Sequence, residues 1–126
     1  RFNFPVTVVT PAAFGDKKKL TPEAHRHYKL ALPDPESRTA AYAFSAELLR
    51  ATGFWAEQWR QISTLAQKPC LIFWGMKDSF VPPYELERWQ KALPEAQVMR
   101  FENAGHFVQE EEPEKMAEAL RVFFGA

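Results

Sequence analysis

The sequence predicts an α/β fold built around a parallel strand pair, and three observations carry that prediction. Leu71-Ile72-Phe73-Trp74 is an unbroken apolar run of strand length, and Val98 to Phe101 is a second run of the same kind. Between them, Tyr84 to Leu93 has the length and pattern of a helix, and Pro113 to Phe124 repeats the helical pattern after the second run. Strand, helix, strand, helix at this spacing implies a parallel pair with a helical crossover.

The first 37 residues are irregular and hold five of the ten prolines. Val6-Thr7-Val8-Val9-Thr10 has strand propensity. Pro5 and Pro11 bracket it, which argues against a central strand. Thr21-Pro22-Glu23-Ala24 reads as a helix start, with Thr21 as N-cap and Pro22 in the first helical position, the helix reaching about Leu30. Pro33-Asp34-Pro35-Glu36-Ser37 reads as a turn. From Ser37 to about Ala51, Ala41, Phe44, Leu48 and Leu49 share one face at helical spacing, with Thr52-Gly53 as the expected stop. A further helix is expected over Phe54–Ala66, with Trp55, Trp59, Ile62 and Leu65 as its stripe. In the last helix Met116, Leu120, Phe123 and Phe124 form the stripe. No internal repeat or low-complexity segment occurs.

Composition bounds the function classes. With 46% hydrophobic, 25% charged and 14% aromatic residues, the chain is globular in character and long enough for one ordinary domain. Sixteen basic residues balance sixteen acidic ones, which excludes a strongly basic nucleic-acid binder. Lys17-Lys18-Lys19 reads as solvated surface. Cys70 is the single cysteine, so no intrachain disulfide forms, and its setting between Pro69 and an apolar run predicts a buried, inert thiol. No apolar stretch approaches the roughly 18 residues a membrane span needs, and no secretory leader is visible. Together these point to the cytoplasm. The chain starts at Arg1, which fits a piece of a longer protein.

Two strands make a poor parallel sheet, because parallel sheets are normally covered on both faces and contain several strands. The Leu71–Trp74 run is apolar throughout, so it expects burial on both sides and a further parallel strand beside it, contributed from upstream of Arg1. Val98–Phe101 is expected at the sheet edge.

The chemistry concentrates past the C-terminal ends of the two strands. There the chain runs into Gly75-Met76-Lys77-Asp78 and into Asn103-Ala104-Gly105-His106-Phe107. In open α/β sheets that is where sites are built. A carboxylate first and a histidine second is the chain order of the last two members of a nucleophile–acid–histidine triad. The carboxylate would fix the imidazole tautomer and stabilise the imidazolium, and the histidine would take a proton near neutral pH. Gly105 permits close backbone approach or an unusual φ beside the histidine. No Gly-x-Ser-x-Gly or Gly-x-Asp-x-Gly elbow occurs in the 126 residues, so Ser45 and Ser79 are poor nucleophile candidates. His25 and His27, two residues apart, point to different faces of a helix, and no metal site is expected. Trp55, Trp59 and Trp89 read as core. Phe80 and Phe107 flank the acid and the base and are candidates to line a pocket.

The run Pro69-Cys70-Leu71-Ile72-Phe73-Trp74-Gly75-Met76-Lys77-Asp78-Ser79-Phe80, then Glu87-Arg88-Trp89, Leu93-Pro94 and Ala104-Gly105-His106-Phe107-Val108-Gln109-Glu110-Glu111-Glu112-Pro113, resembles the C-terminal end of haloalkane dehalogenases of the α/β-hydrolase fold. Gly-His-Phe-x-Gln-Glu is more particular to that group than a bare Gly-His. Leu20-Thr21-Pro22 through Tyr28, and Pro33 onward to Phe44, resembles the end of the helical cap over the pocket. The resemblance implies residues 1–53 as the remainder of the cap and 54–126 as the C-terminal α/β part of the core. It turns Val6–Thr10 into cap loop or helix, against its local propensity.

The resemblance also implies a hydrolase that cleaves carbon–halogen bonds. An aspartate attacks the carbon bearing the halogen, and a histidine-activated water hydrolyses the alkyl-enzyme ester. His106 and Asp78 match the base and its partner. The nucleophile, oxyanion hole and halide-binding residues belong to an N-terminal part of the same enzyme, so this chain is not expected to be active alone. The implied partners are a small apolar substrate, water and that N-terminal part, with no cofactor, metal, nucleic acid or membrane. Relatives of the same layout open epoxides, split esters or decarboxylate β-lactones. A catalytically inactive binding module that kept the fold is the reading from another class.

Overall fold

The computed structural model describes residues 3–125. Its strands are β1 (Leu71–Gly75) and β2 (Gln97–Phe101), parallel and in register from Leu71 opposite Gln97 to Gly75 opposite Phe101. The ladder extends at both ends: Gln97 N–H donates to the Cys70 carbonyl at 2.9 Å and Met76 N–H to the Phe101 carbonyl at 3.0 Å. Its helices are α1 (Thr10–Ala13), α2 (Pro22–Ala31), α3 (Ser37–Arg50), α4 (Thr52–Arg60), the crossover α5 (Tyr84–Ala92), the single turn α6 (Val108–Glu111) and α7 (Pro113–Phe124). No helix among the described residues is long and apolar enough to cross a membrane.

The core forms where β2 meets the turn after it. Phe101, Ala104 and Val108 are buried together, and Phe73, Met99 and Met116 pack against them. Phe73 and Phe101, diagonal to each other across the ladder, hold their ring centroids 6.0 Å apart. Leu86 on α5 and Leu93 just past its end are both buried. Thr21 accepts the Ala24 N–H at 3.1 Å with Pro22 in the first turn. Before α3, Asp34 accepts the Ser37 N–H at 2.8 Å, and these bonds hold its carboxyl below the usual range. α7 ends on Gly125 in the left-handed conformation, φ 68°.

Val6–Thr10 is helical, as the resemblance allows and against its strand propensity, in a π-helical turn Pro5–Val9 that continues into α1, while three other local expectations are corrected. The Thr7 hydroxyl donates to the Asn3 carbonyl at 2.6 Å and the Thr10 hydroxyl to the Pro5 carbonyl at 3.2 Å. Burial of Val6, Thr10 and Ala13 on one side overrides the β propensity. Thr52-Gly53 does not follow α3 as a stop but opens α4, because the chain bends one residue earlier, at Ala51 with ψ 37°. The expected helix Phe54–Ala66 breaks at Gln61 into α4 and a 3₁₀ stretch, Ile62–Gln67. There the Thr64 hydroxyl donates to the Gln61 carbonyl at 2.8 Å and competes for an acceptor the α-helix would use. Cys70 is half-buried rather than buried, its thiol 3.3 Å from the Lys68 carbonyl, because the strand edge beside it pairs with nothing among the described residues.

The expected stripes on α3 and α4 are on the surface. Phe44, Leu48 and Leu49 are exposed, as is Trp55, against the core assignment. No described element lies over them. Trp59 and Trp89 do meet, edge to face at 5.1 Å, with the Arg88 guanidinium 4.2 Å over the Trp59 ring.

Candidate active site

Asp78 lies three residues past β1, in a turn closed by the Asp78 N–H donating to the Gly75 carbonyl at 3.2 Å. A second bond, from Lys77 N–H to the Ala104 carbonyl at 2.9 Å, ties that turn to the loop after β2. Two strands in parallel register thus end side by side, and both loops leave the same edge of the sheet.

The two loops approach so closely that only glycines fit. A Cβ built on Gly75 would lie 1.9 Å from the Gly105 carbonyl oxygen, and one on Gly105 would lie 2.3 Å from the Ala13 carbonyl oxygen. Of the two roles expected for Gly105, close approach is the one used, since Gly125 alone among the described residues has a positive φ.

At this junction His106 Nδ1 lies 2.8 Å from Asp78 Oδ2. Asp78 Oδ1 accepts the Phe80 and Val81 N–H groups at 2.8 and 3.0 Å, so the carboxylate is fixed on one oxygen by the main chain and offers the other to the ring. The carboxylate is 10% exposed and the imidazole 41% exposed. With the acid accepting at Nδ1, that nitrogen carries the proton and Nε2 is left as the basic one. The chemistry open to this arrangement is proton abstraction at Nε2, with the acid stabilising the imidazolium.

Phe80 and Phe107 both meet the imidazole, each edge to face with centroids 5.5 Å apart. Phe80 is half-exposed, whereas Phe107 continues inward to Phe14 at 5.4 Å and Tyr28 at 5.9 Å. Phe107 therefore connects the histidine to α1 and α2. Tyr28 completes that connection by donating its hydroxyl to Glu110 Oε1 at 2.9 Å. Burial first, then the hydrogen bond to Glu110, pushes the Tyr28 phenol up to about 12. His25 is occupied elsewhere, its Nε2 donating to the Val6 carbonyl at 2.8 Å.

Two contributors escape sequence reasoning. Gly15 joins Gly75 and Gly105 at the crossing, since a Cβ on it would lie 2.5 Å from the Gly105 nitrogen. Glu111, 1% exposed, accepts main-chain N–H groups from three residues around the histidine loop. It sits in Glu110-Glu111-Glu112, an acidic run that looks like solvated surface. The signal available for it is its place in the helical turn directly after Gly-His.

A profile described as alpha/beta hydrolase fold matches residues 12–113. Haloalkane dehalogenase 2 of Mycobacterium bovis is 32% identical over 127 residues, covering 99% of this chain and 44% of that protein. The protein of the same name from Mycobacterium tuberculosis matches to the same extent. The cis-3-alkyl-4-alkyloxetan-2-one decarboxylase of Xanthomonas campestris is 36% identical over 62 residues, 49% of this chain and 21% of that protein. The chain thus spans less than half the length of the dehalogenases it matches. A parallel β–α–β unit with an acid and a histidine at adjoining strand ends, matched by the family profile from residue 12 to residue 113, places the chain in the α/β-hydrolase fold family.

Proposed function

We propose that this chain supplies the acid and the base of a haloalkane dehalogenase-type hydrolase. The observation that carries the reading is the Asp78–His106 pair, 2.8 Å apart, with the acid anchored by two main-chain N–H groups. Residues 1–53 form the end of the cap and 54–126 the C-terminal core, with Phe80 and Phe107 at the pocket wall. The nucleophile, an aspartate outside these 126 residues, forms a C–O bond to the substrate carbon as the C–halogen bond breaks and halide leaves. His106 Nε2 then takes a proton from water, whose oxygen attacks the ester carbonyl. Collapse of the tetrahedral species breaks the acyl C–O bond, the departing alkoxide takes the proton back from the imidazolium, and the resulting carboxylic acid releases water's second proton to solvent, which regenerates the carboxylate. Asp78 does not change protonation. It holds the tautomer and stabilises the imidazolium.

The test uses the full-length protein carrying this chain. His106→Ala should release one halide per site, retain the alkyl group as a covalent mass increase, and then stall. Sustained turnover by the variant would overturn the assignment. The similarity to an oxetanone decarboxylase supports a second reading, a β-lactone substrate on the same acid and base. Carbon dioxide release from an alkyl-oxetanone without halide release from any haloalkane would favour it. No turnover with either substrate class, or with esters and epoxides, would favour a binding module.

A further inference from the structure

We propose that Glu111 is a positioning residue for His106. The inference rests on the reading of His106 as the base. It starts from a carboxylate that is 1% exposed, the most deeply buried acid among the described residues. A carboxylate that deep is sustained only by hydrogen bonds that replace its water. Glu111 Oε1 accepts the Gly105 N–H at 2.7 Å and the Gly15 N–H at 3.1 Å, and Oε2 accepts the Asp16 N–H at 2.7 Å.

The placement of those donors is what links Glu111 to the base. Gly105 immediately precedes His106, and the His106 N–H itself donates to the Ala13 carbonyl at 2.8 Å. Two consecutive N–H groups are thereby anchored, one to Glu111 and one to Ala13, and they fix the backbone from which the imidazole projects. The same carboxylate grips Gly15 and Asp16, so it clamps the segment carrying Ala13 against the histidine loop. The ring itself is held at Nδ1 by Asp78 and meets Phe80 and Phe107 in T-shaped contacts, while remaining 41% exposed. Its alignment with Asp78 therefore depends also on the main chain beneath it, and a misplacement of about 1 Å can cost about 100-fold in rate.

The experiment compares Glu111→Gln and Glu111→Ala with Leu86→Ala in the full-length protein. Leu86 is similarly buried, on α5, and touches neither loop by any of the bonds above. Glutamine keeps one acceptor oxygen but sets an N–H₂ against a main-chain N–H, and alanine removes all three acceptors. The proton NMR signal of His106 Nδ1–H, held by Asp78, should persist in Leu86→Ala, broaden in Glu111→Gln and vanish in Glu111→Ala. With haloalkane, kcat should fall about 10- to 100-fold with KM within about twofold. The halide burst should survive and only ester hydrolysis should slow. A Glu111 variant that loses as much urea resistance as Leu86→Ala, yet keeps the Nδ1–H signal and the kcat, overturns the proposal. If Glu111→Ala does not fold, Glu111→Gln decides by the same two readouts. Because the NMR signal reports the Asp78–His106 bond, it decides the role of Glu111 even if the protein turns over no haloalkane.

Discussion

Glycine and alanine differ by one methyl group, and at the crossing of the two site loops that methyl has nowhere to go. A Cβ on Gly75 would lie 1.9 Å from the Gly105 oxygen and 2.7 Å from the Ala104 oxygen, both main-chain atoms that cannot swing aside. Gly75→Ala is therefore expected to destabilise by at least the ~1–3 kcal/mol of core overpacking, and to lengthen the Asp78–His106 contact. Gly53 meets nothing within 4 Å and sits in the first turn of α4. There Gly53→Ala should stabilise by about 0.5–1 kcal/mol, through helix propensity alone. Urea unfolding of the two variants in the full-length protein checks both signs. Equal effects would mean that the loops part freely and that the crossing does not set the site.

At the scale of elements, the site depends on how α1 and α2 are fastened to the histidine loop. The fastening is a series of rings, Phe14, Phe107 and Tyr28, closed by the Tyr28–Glu110 hydrogen bond at 2.9 Å. The phenol is pushed up to about 12, chiefly by burial. A group whose folded pKa is raised contributes stability that is whole below its unfolded value, about 10. That contribution is lost as pH rises from about 10 through about 12. The expectation is an alkaline loosening of α2 from α6 in that window. Tyrosinate absorbance and hydrogen exchange on α2 should report it together. In Tyr28→Phe the late tyrosinate step should disappear, and α2 should exchange faster already at neutral pH. An unchanged absorbance titration in Tyr28→Phe would show that the late step belongs to another group.

Over the whole molecule, the balance of exposed and buried apolar surface is unusual for a free-standing domain. Tyr42, Phe44, Leu48, Leu49, Phe54 and Trp55 on α3 and α4 are all exposed. β1 is apolar along its length but only partly buried, and its second edge pairs with no described strand. Each large apolar side chain left in water forgoes about 1.5–3 kcal/mol, and an open strand edge invites association. Produced by itself, the 126-residue chain is expected to self-associate or to unfold without a sharp transition. Co-expression with the remainder of a longer protein that carries this chain should instead give a soluble complex with a further parallel strand beside Leu71–Trp74. Light scattering and denaturant titration test this. A monodisperse, cooperatively folded monomer of 14.5 kDa would refute it.

The parts legible in the sequence are those whose cause is local or periodic. The two strands, the crossover helix α5, the cap at Thr21 and the start of α7 at Pro113 follow from apolar runs, side-chain capping and the fixed φ of proline, all effective within one turn of chain. The order of Asp78 and His106 past successive strand ends was equally readable, since parallel strands bring their C-terminal ends to one edge. What the tertiary structure decided is everything that depends on partners distant in sequence. Val6–Thr10 is helical because of what it buries against, not because of its own propensity. Gly15 matters because Gly105 lies against it, ninety residues on in the chain. Glu111 reads as one more acid in a charged run until three N–H groups, two of them more than ninety residues away, converge on its carboxylate. A polar side chain is drawn inside only when the fold brings its hydrogen-bond partners to it. Those partners come from separate elements, and only their packing determines where they meet.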